Sequence, residues 1–239
     1  MAASLPPAPP NPPSIPPGPP PPPPPPAAQP APLPWEQPGY PAVEGLYETA
    51  KLFLLNPAEG FARMSIGGDL GRPLLFAVVL GWVGIIAGQL YQLLIPGMPW
   101  RYFPGMEHSM QYAMRPLFTI AMMVLAPVFV LLAVFIWSAI LHLFLLIVGA
   151  GGSGFTATVR VVCYAGVTQV LQVVPLCGGI IGSLWAIVLE IIGLATAHRT
   201  SQGKAAVAVL LPIALCCSCA AVLAVAFGAA ILAAVGASR

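Results

Sequence analysis

From residue 73 onward the chain is written in long apolar runs, broken by short polar turns. Residues 73–95 carry no charge over 23 positions. At 1.5 Å per residue that is about 34 Å of helix, enough to cross a hydrocarbon core. A longer run, 117–149, contains Pro127 but no polar turn, which predicts one tilted or kinked helix and not a hairpin. Residues 155–174 form a third run closed by Pro175, 177–197 a fourth, and 205–235 an Ala-rich fifth with Pro212 near its start. The pattern predicts an all-α polytopic membrane protein with five transmembrane helices over residues 73–236.

Upstream the pattern changes twice. In residues 43–72, Leu46, Tyr47, Ala50, Phe53 and Leu54 recur at helical spacing with Glu48 and Lys51 between them. This predicts an amphipathic juxtamembrane helix ending at Asn56-Pro57. It can lie in the headgroup layer or pack on the body's own end face. Residues 1–42 show no periodicity and read as a disordered proline-rich tail. Of the chain's 30 prolines, 21 lie in the first 41 residues, and 19–26 is an unbroken run of eight. Such a run has no amide hydrogens and a fixed φ, so polyproline II is its conformation. It serves as a stiff solvated spacer or, less economically, as a ligand for an aromatic groove. Trp35 and Tyr40 are candidates for anchoring the tail at the bilayer surface.

Composition sharpens this picture. Charged residues are 7% of the chain, against roughly 25% in soluble domains. No basic stripe exists for nucleic acid. The first 50 residues contain no Lys or Arg, so the start has no secretory n-region. On five spans with the N-terminus inside, Lys51, Arg63, Arg72, Arg160, Arg199 and Lys204 are inner, while Arg101, Arg115 and Arg239 are outer. That bias puts the tail in the cytoplasm. Seven Arg to two Lys, with heavy Ala, Gly and Pro usage, suggests a GC-rich genome and a bacterial inner membrane.

Three ionisable residues fall within spans: His142, Arg160 and Glu190. Counting from the helix ends puts all three at one depth, so Glu190 is expected to pair with Arg160 or His142, because a bare carboxylate in lipid is costly. Tyr164, Thr168 and Gln172 continue from Arg160 every fourth residue as an inward polar stripe. The cluster is either a clamp that fixes packing or an ion or proton path, and the clamp is favoured because the outer half of the bundle offers few polar groups. Gly84 and Gly88, and Gly178 and Gly182, form GxxxG faces where helices can approach, within the bundle or in a homo-oligomer. Cys216, Cys217 and Cys219 match no zinc spacing and read as buried thiols. Met106, Met110 and Met114 with His108 suit a membrane-surface helix better than a copper site, and Trp100, Tyr102 and Phe103 suit an aromatic belt. No metal, cofactor or catalytic constellation is expected.

Asp69-Leu70-Gly71-Arg72-Pro73, just before the first span, resembles the Asp-Leu-x-Gly-Pro signature of the Yip family of Ypt/Rab-interacting membrane proteins. It has Gly71 at the variable position and Arg72 where the signature has Gly. Tyr164-Ala165-Gly166 with Val174-Pro175 resembles that family's Tyr-Gly…Pro element. Asn56-Pro57…Phe61, and the stretch from Gly182-Ser183-Leu184-Trp185 through Gly193-Leu194, His198 and Ser201 to Lys204-Ala205, are similar to its prokaryotic branch. The resemblance covers about residues 45–225 and leaves out the proline tail. It implies five spans, a cytoplasmic N-terminus and Asp69, Leu70, Gly71 and Pro73 as motif residues. The expected function is a non-enzymatic membrane organiser or trafficking-type scaffold, embedded in lipid and binding a cytoplasmic protein through its N-terminal region. The alternative is a small transporter or channel built on His142, Arg160 and Glu190.

Overall fold

The computed structural model describes residues 31–94 and 108–237, and helix is the only regular structure among them. Expectations for the proline run 19–26, for Trp100, Tyr102, Phe103 and Met106, and for Arg101 and Arg239 lie outside the described residues. A 3-10 turn at Pro34–Glu36 leads into α1 (Ala42–Leu55) and α2 (Pro57–Arg63). α1 stops before Asn56, and Pro57 opens α2 at its first turn, where its missing N–H costs nothing. Then follow α3 (Gly71–Leu94), α4 (His108–Ile147), α5 (Gly154–Ala165), a 3-10 segment (Gly166–Val173), α6 (Gly178–Ala197) and α7 (Gln202–Ala237).

Four helices, not the five expected, are long and apolar enough to cross a membrane among the described residues: Gly71–Tyr91, Pro116–Ile147, Gly178–Ala197 and Gln202–Gly228. The expected third span, 155–174, is the one that fails. Its α-helix stops after 12 residues, about 18 Å, well short of a hydrocarbon core. From Gly166 the chain tightens to 3-10 geometry for eight residues. Val167, Thr168, Val170 and Val173 are β-branched and weaken α-helix, and Thr168, Gln169 and Gln172 make the stretch polar. The segment packs on α3 and α6, with Val167 and Thr168 buried. Protein on both flanks is what lets such backbone exist among membrane helices.

The two GxxxG faces make this packing possible. A Cβ at Gly84 on α3 would stand 2.6 Å from the carbonyl oxygen of Gln169. On α6, a Cβ at Gly178 would stand 1.9 Å from that of Leu171, and one at Gly182 2.9 Å from that of Thr168. Gly88 faces the Gln172 side chain. The small faces are therefore filled within the chain by the backbone of the 3-10 segment.

Pro127 leaves the Met123 carbonyl of α4 without its usual i+4 donor. The Trp82 indole N–H of α3 supplies the missing hydrogen bond at 2.9 Å. α4 ends in a Schellman-type turn at Gly149, with φ +65° and the Ala150 N–H donating to the Leu145 carbonyl at 2.7 Å. After α6 the same turn is made by Arg199 at φ +50°, with the Thr200 N–H on the Ala195 carbonyl at 3.0 Å.

Packed structure reaches further upstream than the expected tail boundary at residue 42. Leu33 is fully buried and Trp35 is 5% exposed, both in the same core as Phe53, Phe61, Phe76 and Leu141. Burying these two large side chains is what holds residues 33–36 against the body. α1 and α2 also join the core. Phe53 and Phe61 pack edge to face at 4.8 Å, and Phe61 fills the space beside Gly193 of α6.

Candidate functional site

α5 carries Arg160 and Tyr164 one helical turn apart, hence on one face. Phe53 stacks on the Tyr164 ring at 4.8 Å, and Phe76 leans on it at 5.1 Å. In this apolar setting the Arg160 side chain is 2% exposed and needs a counter-charge. Glu36 provides it. The Glu36 Oε1 accepts from both Arg160 Nη2 and the Tyr164 hydroxyl. The Ser65 hydroxyl accepts from Arg160 Nη2 and donates to the Glu36 Oε2 at 3.0 Å. Arg160 Nη1 donates to the Asp69 main-chain carbonyl at 2.7 Å. Within this cluster Arg160 Nε is buried and has no acceptor.

Trp35 seats the same segment independently. Its amide donates to the Thr49 hydroxyl at 3.1 Å, and its indole N–H donates to the Arg72 carbonyl at 2.6 Å. The Arg72 guanidinium lies 5.6 Å from the centre of the indole ring and donates to the Trp35 carbonyl at 3.3 Å. Arg72 is the residue at which the chain departs from the Asp-Leu-x-Gly-Pro pattern. The pattern's other residues shape the start of α3. Asp69 lends its carbonyl to Arg160, its carboxylate folds over Gly71, Leu70 packs on the core, and Pro73 is buried.

Two residues before Arg160, Thr158 organises a second cluster. Its hydroxyl lies 2.9 Å from His142 Nδ1 of α4 and 2.9 Å from His198 Nε2 at the end of α6. The Ser153 N–H donates to His198 Nδ1 at 3.3 Å, which assigns the proton of neutral His198 to Nε2. The donor chain then runs from His198 through Thr158 to His142. Burial first, and the neighbouring His142 second, push the His198 pKa down to about 4.

Glu190 belongs to neither cluster. Its Oε1 accepts from the Trp137 indole N–H at 2.7 Å. It borders a groove of about 390 Å³ that Thr168, Gln169, Gln172 and Ser183 also line. The expected meeting of His142, Arg160 and Glu190 is thus not what forms. Each has its own partner on a different element, and the counter-charge of Arg160 is Glu36, 124 residues away. The stripe from Tyr164 is also broken. Tyr164 reaches Glu36, whereas Thr168 turns back to the Ala165 carbonyl at 3.2 Å and Gln172 to Gln169, because 3-10 geometry ends the four-residue repeat. The sequence pattern missed Glu36, Ser65 and Trp137, gave Trp35 only as an anchor at the bilayer surface, and gave His198 only as part of the family resemblance. One signal was available: Glu36 is the first charged residue of the chain, beside the first tryptophan. Cys216, Cys217 and Cys219 are exposed on α7, not buried as expected. No group of three metal-binding side chains forms among the described residues.

These features define an all-helical polytopic membrane protein with a polar latch at one end of its bundle. The chain belongs to the Yip family: the Yip1 domain matches residues 51–224, which is most of its length. No curated protein and no solved structure matches it. Trp35 and Glu36 lie outside the matched domain, yet their side chains are held by the Arg72 carbonyl and the Arg160 guanidinium within it.

Proposed function

We propose that the protein is a membrane-organising scaffold of the trafficking type, seated in a bacterial cytoplasmic membrane, with its N-terminal region in the cytoplasm and a partner protein bound there. The observation that carries this reading is the docking of residues 33–36. Trp35 and Glu36 fix the root of the proline-rich stretch at one end of the bundle, so the stretch leaves from a defined point. Beside that point α1 exposes Val43, Tyr47 and Leu55, an apolar surface suited to a partner. Orientation is supported by the basic residues at the same end. Arg72 and Arg160 hold the latch, Arg199 follows α6, and Arg63 lies on α2, which packs on α6.

A photo-crosslinking residue at Tyr47 of the full chain, in its native membrane, tests the reading. One discrete protein adduct, lost when the crosslinker is moved to the buried Phe53 position, is expected. Adducts to lipid alone would count against a scaffold. Labelling of a cysteine placed at Ala31 from the outer side of intact cells would overturn the orientation.

A further inference from the structure

Glu36 fills its site incompletely. A carboxylate offers two oxygens in one plane, and both are used: Oε1 by Arg160 and Tyr164, Oε2 by Ser65. Arg160 Nε, buried and aimed at the same locality as Nη2, has no acceptor. An orphaned donor on a buried guanidinium is costly, more so than on a neutral group. A group with three terminal oxygens and a second negative charge would match these donors better. A phosphate monoester has both, and guanidinium binds it through two parallel N–H bonds.

We propose that Arg160, Tyr164 and Ser65 form a phosphate-monoester site whose built-in occupant is the Glu36 carboxylate, displaced when a phosphate binds. Arg160 presents Nε and Nη2 to two phosphate oxygens, and Tyr164 and Ser65 donate to the rest. The approach is open on one side, since Ser65 is exposed and the Glu36 side chain keeps 15% of its surface. A Cβ built on Gly67 or Gly68, just beyond Ser65 and Ile66, would meet nothing within 4 Å. The site lies where the apolar part of α3 begins, because Asp69 and Gly71 border it, and this is headgroup level. Trp35 is held by Thr49 and Arg72, so the segment can stay seated while Glu36 swings out.

The test uses the full chain in neutral detergent, with the thermal unfolding midpoint followed against inorganic phosphate, short-chain phosphatidic acid and short-chain phosphatidylcholine. Glu36→Gln removes the competing charge and keeps the shape. It is expected to respond at about tenfold lower phosphate or phosphatidic acid than the native chain, the worth of one charge-assisted hydrogen bond. Tyr164→Phe in the Glu36→Gln background keeps Arg160 and is expected to weaken the response by about the same factor. Phosphatidylcholine, a diester with no net charge, is expected to be inert. A response to phosphatidic acid at lower concentration than to inorganic phosphate identifies a lipid source, and the reverse order a soluble one. Equal responses of the native chain and Glu36→Gln, or no loss with Tyr164→Phe, or no response to either phosphate, would overturn the proposal.

Discussion

Glu36 and Arg160 form a largely buried ion pair across 124 residues of sequence, joining a proline-flanked turn to a helix in the middle of the bundle. Two charges in an apolar setting are worth little against a well-packed apolar pair, but removing one partner strands the other. Arg160 also binds Ser65 and the Asp69 carbonyl, so it draws the 3-10 turn, the loop after α2 and the start of α3 together.

Glu36→Ala should therefore destabilise the protein by about 3 kcal/mol, in the range for breaking a buried pair. Glu36→Gln keeps the acceptor for Tyr164 and should cost less. Thermal unfolding in detergent gives the order. Equal midpoints for Glu36→Ala and the native chain would mean that the pair does not anchor the segment.

The glycine faces give a contrast within one helix. Gly178→Ala places a methyl 1.9 Å from the Leu171 carbonyl oxygen, so backbone must move. Gly179→Ala meets nothing within 4 Å. The first should lose roughly 3 kcal/mol or fail to fold, while the second should gain slightly from better helix propensity. Purified yield and unfolding midpoint separate them, and similar behaviour would mean the 3-10 segment is not wedged there.

Trp82 and Pro127 should be coupled. Trp82→Phe strips the Met123 carbonyl of its donor and should cost about 1–2 kcal/mol. Pro127→Ala restores the helix's own N–H to that carbonyl. In the Pro127→Ala background the Trp82→Phe loss should shrink by about half or more. A double-mutant cycle with no coupling energy would rule out this pairing.

The His198 environment predicts acid lability. Its folded pKa, about 4, lies below the ordinary histidine value of 6.5. Between these values the unfolded chain takes a proton that the folded chain refuses, so stability is full above pH 6.5 and falls as pH drops toward 4. Below 4 this contribution is flat. The loss should be roughly 2 kcal/mol, allowing for solvent screening at the helix end. His198→Gln should flatten the pH dependence of the unfolding midpoint across that window, and an unchanged profile would assign the lability elsewhere.

Glu190 distinguishes scaffold from transport. It is held by Trp137 and not linked to Arg160 or His142. Under the scaffold reading Glu190→Gln leaves ion and proton flux of reconstituted vesicles unchanged and shifts only the unfolding midpoint. A flux in the native protein that this variant removes would favour transport.

The sequence by itself determined what depends on neighbours along the chain. Uncharged runs of twenty or more residues had to become membrane helices, since burial of apolar side chains and internal pairing of backbone groups are both local consequences of such a run. Asn56-Pro57 had to part α1 from α2, and the glycines at 84, 88, 178 and 182 had to mark close approach. Tertiary structure decided which surface fills each of those faces and which charge meets which. The apolar run read 155–174 as one helix, but α3 and α6 grip its second half as a 3-10 segment, a choice made by their surfaces acting on a stretch whose β-branched and polar residues already weaken α-helix. Depth along helices placed His142, Arg160 and Glu190 at one level, yet depth says nothing of azimuth. Packing gave them Thr158, Glu36 and Trp137 as partners instead. Glu36 looked like part of a solvated tail because no local rule links it to α5. Only the burial of Leu33 and Trp35 brings it within reach of Arg160.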